Sequence, residues 1–323
     1  MKRLYKLLVA VIMLVAIVLG LRATDVRPGW PPAAMLVAPG LAPDLDTWLA
    51  EREALYPDIT EGAEKHIFWA REPGERTPLV ILYFHGFSAT RREISPVPER
   101  VAQELGANLF ATRFTGHGLP GEALGQATPI DWALDVAEAM AVAQRLGDRV
   151  VIISTSTGGS IATLTAADPT YADRIAGLVS VSPNYEINDP LVFLLDWPHA
   201  RSWVPLAVGE TRSWQPESED HARFWTTSYP TRAVFPLRTV QRTAAEVDHT
   251  AIQTPLLVYY SLQDQVVSPA ATEAVIARWG GPVTAHVVTD ADDSGQHVIT
   301  GDIRSPTTTN RFVAEITEWI RAL

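Results

Sequence analysis

The chain has 323 residues, no cysteine and a formal net charge of −11. This length is enough for one large α/β domain with an insertion, and the acidic balance argues against nucleic acid as a partner. Without cysteine no disulfide or thiolate metal site can form, and no spacing of His, Asp or Glu suggests a metal, so no cofactor is expected.

The N-terminus combines a basic start with an apolar run. Residues 1–6 are basic, and residues 7–21 are apolar without a break. A run of this length lies between the core of a secretory signal and a full membrane span of about 20 residues. We therefore expect residues 1–23 to be a membrane anchor or a signal segment, with residues 24–60 as a Pro-rich linker and lead-in. The basic flank predicts a catalytic domain outside the cytoplasm, anchored to the membrane, or secreted or periplasmic if the segment is cleaved.

Two strand-like runs in the first half of the chain each lead into a loop with glycine and histidine. Residues 78–84 precede His85-Gly86-Phe87, and residues 107–114 precede Gly116-His117-Gly118. Gly86 would allow another backbone to approach closely, although a simple turn also explains His85-Gly86. Apolar spacing predicts helices at 94–105, 129–146, 157–167, 269–279 and 310–322.

A buried strand at 150–153 runs into Ser154-Thr155-Ser156-Thr157-Gly158-Gly159. A serine between small residues, on a sharp turn from strand to helix, is typical of a nucleophile whose hydroxyl is exposed. The N-terminus of the following helix would point at Ser156, and its free N–H groups would hold a developing negative charge. A bland turn between strand and helix is the alternative for this segment taken alone.

The alternation of strand and helix stops between residues 184 and 250. This segment follows a strand at 177–182 and contains four tryptophans, among them Trp197 and Trp203. A structureless loop of that length is implausible in a compact domain, so we expect an inserted, mainly helical cap over the site. Trp197 and Trp203 either line an acyl pocket or form the core of the cap itself.

An acid and a histidine follow the serine, each in a loop after a predicted strand. Asp264 follows the strand at 255–261, and His297 follows the strand at 283–288 and a polar loop. Loops at the carboxyl ends of strands carry the sites of open α/β sheets, and a serine nucleophile needs a base and a group that orients it. Taken alone, Asp264 would be a helix cap or turn former and His297 an ordinary loop histidine. His286 is the rival base, but it lies inside a strand pattern.

Together these motifs resemble the α/β-hydrolase superfamily, and within it the monoglyceride lipase-like, lysophospholipase-like branch of serine esterases. The resemblance runs from about Leu79 to the C-terminus. It implies an α/β-hydrolase fold, with a mostly parallel central sheet flanked by helices. The hydrolase core would comprise residues 61–183 and 251–323, and the cap residues 184–250.

The resemblance also implies roles for the loop residues. Phe87, in the loop after the third strand, and Thr157, next to the serine, would donate their N–H groups to the oxyanion. His85 and Gly86 would lie at the substrate. The turn around Ser156 departs from the usual pattern of this branch at Ser154, where glycine is usual, and at Thr155, where the branch usually has histidine.

We therefore predict a serine hydrolase that cleaves lipid-like or small acyl esters, a carboxylesterase or lipase-like enzyme. Ser156 would attack the carbonyl, His297 would be the base and Asp264 would orient it. The predicted partners are the ester substrate and, through the N-terminal segment, a membrane. The alternatives are a peptidase or amidase with the same triad, or a non-catalytic binding protein on a hydrolase fold.

Overall fold

Seven strands form one sheet in a computed structural model that describes residues 5–7, 9, 11–13, 20–21, 23–25 and 27–323. Their order is β1-β3-β2-β4-β5-β8-β9, and every pair is parallel except β1 with β3. The strands are β1 (His66–Phe68), β2 (Thr77–Phe84), β3 (Asn108–Ala111), β4 (Gly147–Thr155), β5 (Ile175–Val181), β8 (Leu256–Tyr260) and β9 (Val283–Val287). This mostly parallel sheet confirms the predicted fold class. The strand expected as the third of the sheet is β2, because one short strand precedes it in the described chain.

Helices cover both faces of the sheet. They are α1 (Leu45–Glu53), α2 (Val97–Leu105), α3 (Gly121–Leu124), α4 (Pro129–Leu146), α5 (Thr157–Ala167), α9 (Pro269–Ile276) and α10 (Pro306–Arg321). The sequence places α4 and α5 at their observed bounds. In α4 the start is marked by a capping box, in which Thr128 and Asp131 satisfy each other's backbone N–H groups.

Both faces of the central strands are buried, as parallel strands between two helical layers require. Along β2, Val80, Leu82 and Phe84 belong to one apolar cluster, and Ile81 and Tyr83 belong to the other. Because the side chains alternate between two cores, the strand reads as a continuous apolar run.

The segment 184–250 has its own elements, α6 (Ala200–Val208), α7 (Glu219–Phe224), α8 (Val234–Glu246) and the antiparallel pair β6 (Thr211–Ser213) and β7 (Ser228–Pro230). Sequence reasoning missed this strand pair, because strands of three residues carry too little alternation to be recognised. We refer to residues 184–250 as the cap segment.

The N-terminal prediction falls partly outside the description. Of residues 1–23, the structure describes 5–7, 9, 11–13, 20–21 and 23. Within the described residues, no helix has the length and apolarity needed to cross a bilayer.

Candidate active site

Ser156 lies at the apex of the turn between β4 and α5. Its backbone has φ 51° and ψ −119°. This conformation is strained for a residue with a Cβ, and it persists only where the surrounding structure holds it, most often at functional sites. The two glycines that follow Thr157 have no room for side chains. A Cβ on Gly158 would lie 2.1 Å from the Phe84 carbonyl oxygen, and one on Gly159 would lie 2.8 Å from Pro183 Cβ. Glycine is therefore required on the helix side of the turn.

His297 bridges the serine and the acid. Its Nε2 lies 3.0 Å from Ser156 Oγ, and its Nδ1 lies 2.8 Å from Asp264 Oδ2. All three side chains are buried. The structure thus brings together the three residues that the sequence predicts as a triad, with the separations that proton transfer needs.

The carboxylate of Asp264 is fixed by its own loop. Its Oδ1 accepts hydrogen bonds from the N–H groups of Val266 and Val267, at 2.8 and 2.9 Å. Because Oδ1 is held in this way, Oδ2 faces His297. The carboxylate therefore selects the tautomer with a proton on Nδ1, which leaves the Nε2 lone pair for Ser156.

A second aspartate, which sequence reasoning missed, holds the histidine loop. Asp293 Oδ2 accepts the N–H groups of His297 and Val298, both at 2.9 Å, and Asp293 Oδ1 pairs with the Arg304 guanidinium. Burial alone would raise the pKa of Asp293, but these donors lower it below its ordinary value. The only sequence signal was its place in the polar loop before His297.

Nearby carboxylates make His297 a stronger base. Burial alone would lower its pKa, yet the Asp264 carboxylate, with smaller contributions from Glu93 and Asp293, raises the pKa above the ordinary 6.5. The imidazolium that forms when His297 takes a proton is therefore stabilised in this site.

The loop after β2 approaches Ser156 closely at Gly86. A Cβ on Gly86 would lie 3.0 Å from Ser156 Cβ. His85 holds the loop from behind, because its Nε2 accepts the N–H of Phe114 at 3.1 Å and its Nδ1 lies 2.9 Å from the Gly86 carbonyl oxygen. Burial lowers the pKa of His85 to about 4, so its ring is neutral. These contacts make His85 a support of the loop, while its predicted contact with substrate stays a prediction.

Two N–H groups beside Ser156 are available to an oxyanion. Among the described residues, no acceptor takes the N–H of Phe87 or that of Thr157. Thr157 is the first residue of α5, where the helix dipole adds partial positive charge. These are the two donors that the resemblance implies.

We refer to residues 85–88, after β2, as the oxyanion loop, for the role predicted for Phe87. The cap side chain whose ring packs on Phe87 is Tyr229, whereas the predicted tryptophans pack elsewhere. The ring of Tyr229 in β7 lies 5.4 Å from that of Phe87, edge to face. Trp203 packs against a small cluster within the cap that contains Val204 and Phe235, and Trp197 is 50% exposed. Their role in substrate binding stays a prediction, and no sequence signal distinguished Tyr229 from the other aromatic residues of the segment.

The rival base lies elsewhere. His286 is exposed on the edge strand β9, with its ring stacked on Tyr259 at 5.0 Å. Its strand position, which disfavoured it in the sequence, also separates it from the loop that carries His297.

Comparison with known proteins agrees with this architecture. The family model Hydrolase_4, described as "Serine aminopeptidase, S33", matches residues 76–291. A thermostable monoacylglycerol lipase of Bacillus sp. (strain H-257) is 25% identical over 221 residues, which cover 68% of this chain and 81% of the lipase.

Solved structures show the same fold. One, from work on the metagenome-derived lipolytic enzymes LipS and LipT, has a TM-score of 0.68 at 19% identity and covers 82% of this chain and 100% of its own. The monoacylglycerol lipase of Paleococcus ferrophilus has a TM-score of 0.58 at 15% identity, over 80% of this chain and 98% of its own. Because the family model spans more than half of the sequence, the chain belongs to the Hydrolase_4 (serine aminopeptidase, S33) family, and it has an α/β-hydrolase fold.

Proposed function

We propose that the protein is a serine carboxylesterase that cleaves lipid-like or small acyl esters through an acyl-enzyme. The observation that carries the proposal is the continuous hydrogen-bonded chain from Ser156 through His297 to Asp264. Such a chain supplies a nucleophile, a base and an orienting acid in one arrangement.

The reaction proceeds in two halves. Ser156 Oγ attacks the ester carbonyl while His297 Nε2 takes its proton, and the N–H groups of Phe87 and Thr157 hold the oxyanion. His297 then gives the proton to the leaving alcohol, which departs and leaves the acyl group on Ser156. A water molecule, deprotonated by the same histidine, releases the acid and restores the serine. Asp264 keeps the imidazole oriented and stabilises its charged form throughout.

A lipid-like ester is supported by the similarity to monoacylglycerol lipases and by the aromatic pair of Phe87 and Tyr229 beside the oxyanion loop. The family description names an aminopeptidase, so an amide substrate is the second candidate. A panel of p-nitrophenyl esters of increasing acyl length, run against aminoacyl anilides, separates the two. We expect kcat/KM to favour the esters, and a clear preference for the anilides would contradict the proposal.

A binding protein without catalysis would differ at an earlier step. A fluorophosphonate reacts only with an activated serine, so stoichiometric labelling at Ser156 supports catalysis. Absence of labelling in a folded protein would favour the binding role.

We also propose that residues 1–23 tether the protein to a membrane, with the hydrolase domain outside the cytoplasm. The support is the sequence alone, a basic flank followed by the apolar run 7–21.

A further inference from the structure

A buried carboxyl group that the proposed mechanism does not use lies beside the triad. Glu93 is 2% exposed and follows the oxyanion loop in the chain. Its Oε2 accepts the N–H of Gly86 at 2.6 Å, and the hydroxyl of Tyr83 lies 3.4 Å from the same oxygen. Glu93 thus binds the residue at which the oxyanion loop touches Ser156.

The backbone of Glu93 is also packed against the loop that follows His297. A Cβ on Gly301 would lie 2.5 Å from Ile94 Cα and 3.1 Å from the carbonyl oxygen of Glu93. The N–H of Asp302 donates to the carbonyl oxygen of Ser95 at 3.0 Å. The segment that carries Glu93 therefore joins the oxyanion loop to the histidine loop.

The second carboxyl oxygen faces the nucleophile. The point where a Gly86 Cβ would stand is 2.6 Å from Glu93 Oε1 and 3.0 Å from Ser156 Cβ. Only the hydrogen on the Gly86 Cα fills that space. No group in the described part of the chain donates a hydrogen bond to Oε1.

Among the described residues, two titratable groups act on this carboxyl group. The hydroxyl of Tyr83 in β2 lies 3.4 Å from Oε2, and the charge of His297 lowers the pKa of Glu93. The arginines next to it in sequence point elsewhere, since the guanidinium of Arg91 lies over Phe68 and that of Arg92 over Phe224. The other carboxylates that act on His297 are Asp264 and Asp293. Glu93 and His297 are therefore electrostatic partners.

Burial raises the pKa of Glu93 to about 7, while the Gly86 N–H and the charge of His297 hold it down. A buried carboxylate is costly unless it is paired. A neutral glutamine would also accept the Gly86 N–H, so the loop contact alone does not require an ionisable group. In its ionised form Glu93 raises the pKa of His297, and the charge of His297 lowers the pKa of Glu93.

We propose that Glu93 is a positioning residue of the proposed hydrolase, a further carboxylate that fixes Gly86 beside Ser156 and stabilises the imidazolium of His297. It takes no proton from the substrate and forms no bond in the reaction. This inference rests on the proposed function, in which His297 is the base.

The test is Glu93→Gln, which keeps the shape and an acceptor for Gly86 but removes the charge. We would measure the rate of fluorophosphonate labelling and kcat/KM on p-nitrophenyl butyrate from about pH 5 to about pH 9, per titrated active site. Without the carboxylate the imidazolium is less stable, so the midpoint of the acid limb should move to lower pH. The plateau rate should fall by roughly tenfold, the size of one charge-assisted interaction.

Glu99→Gln is the matched control. Glu99 is a half-buried glutamate in this part of the chain, but it accepts a hydrogen bond from Ser95 Oγ at 2.9 Å and is not among the groups that act on His297. Glu99→Gln should leave the midpoint of the acid limb unchanged. A midpoint that stays unchanged in Glu93→Gln, with only a lower melting temperature, would make Glu93 a structural link and overturn the proposal.

The wild-type protein provides a measurement that does not depend on variant folding. The His297 imidazole, followed by NMR against pH, should titrate in two linked steps because the Glu93 carboxyl group ionises in the same pH range. A single step would overturn the inference. A wild-type protein that fails to react with fluorophosphonate would instead count against the proposed function, and the NMR titration would still test the pairing of Glu93 with His297.

Discussion

The Ser156 hydroxyl lies 3.0 Å from Nε2 of His297. Replacing Ser156 by alanine removes this hydroxyl and should therefore remove covalent labelling by a fluorophosphonate. Turnover of a p-nitrophenyl ester should fall by several orders of magnitude, because the remaining groups only bind and polarise the substrate. Circular dichroism and the melting temperature should stay close to those of the wild type.

Ser154→Ala is the control for this change. Ser154 is buried two residues away and donates to the Val179 carbonyl oxygen at 3.0 Å. Its loss should cost about 1 kcal/mol of unfolding free energy and leave labelling intact. Near-normal esterase activity in Ser156→Ala would show that the nucleophile lies elsewhere.

The raised pKa of His297 sets the pH dependence of the reaction. The base must be unprotonated, so kcat/KM should rise with pH and reach half of its plateau above the ordinary histidine value of 6.5. His297→Ala should abolish this activity, whereas His286→Ala, which alters an exposed strand position, should keep both the plateau and the midpoint. A profile that is flat from about pH 5 to about pH 8 would count against a histidine base.

At the scale of residues, the sequence predicts the members of the proposed triad but not the residues that hold them in place. Ser156, Asp264 and His297 stand in loops after strands, and that regular placement made them visible. Asp293, Glu93 and Tyr229 act through contacts that only the folded chain creates, and their residue types are common in any loop.

At the scale of elements, boundaries were predictable where a local signal marks them. Thr128 and Pro129 mark the start of α4. The helix predicted at 94–105 begins only at Val97, because residues before the proline at 96 are pushed away from helical backbone angles. The last helix begins at Pro306, earlier than the 310 expected from apolar spacing, and the proline at its first position is the signal that was overlooked.

The cap segment is the element that should control which acyl groups are accepted. Tyr229→Ala would open the space next to Phe87. We expect it to change the preference between short and medium acyl esters, measured by kcat/KM, by about one to three kcal/mol of activation free energy. Labelling of Ser156 by a small fluorophosphonate should persist. Trp197→Ala and Trp203→Ala test the sequence prediction in the same assay.

Tyr185→Phe serves as a control, because its hydroxyl is buried beside α5, 2.7 Å from Thr163 Oγ1. If none of the three cap substitutions moves the acyl-length profile, the cap residues are structural and the acyl pocket lies elsewhere.

For the whole molecule, the fold class was predicted from the resemblance of several loop motifs to the α/β-hydrolase superfamily, and the alternation of strands and helices agrees with it. Continuous apolar strands separated by amphipathic helices fit a parallel sheet buried on both faces. The cap could be located only as an interruption of that alternation. Its internal arrangement depends on packing between short elements, for which the sequence carries little periodic signal.

The proposed tether is a property of the whole chain. The full-length protein should sediment with membranes, and a chain that starts at Thr24 should remain in the supernatant and keep its esterase activity. Full-length protein in the supernatant would contradict the tether. Mass spectrometry of exported protein that lacks residues before about Ala23 would identify a cleaved signal instead.

The cap segment is joined to the loop after β2 and to α3 through backbone contacts. The N–H of Thr226 donates to the Ser88 carbonyl oxygen at 2.7 Å, immediately after Phe87. A Cβ on Gly121 in α3 would lie 1.9 Å from the Ser228 carbonyl oxygen. Lifting this side of the cap would therefore disturb the loop that carries an oxyanion donor. Substrate should enter without separating the cap from this loop. We therefore expect the Thr226 amide hydrogen to exchange slowly with deuterated solvent, both in the resting protein and during turnover.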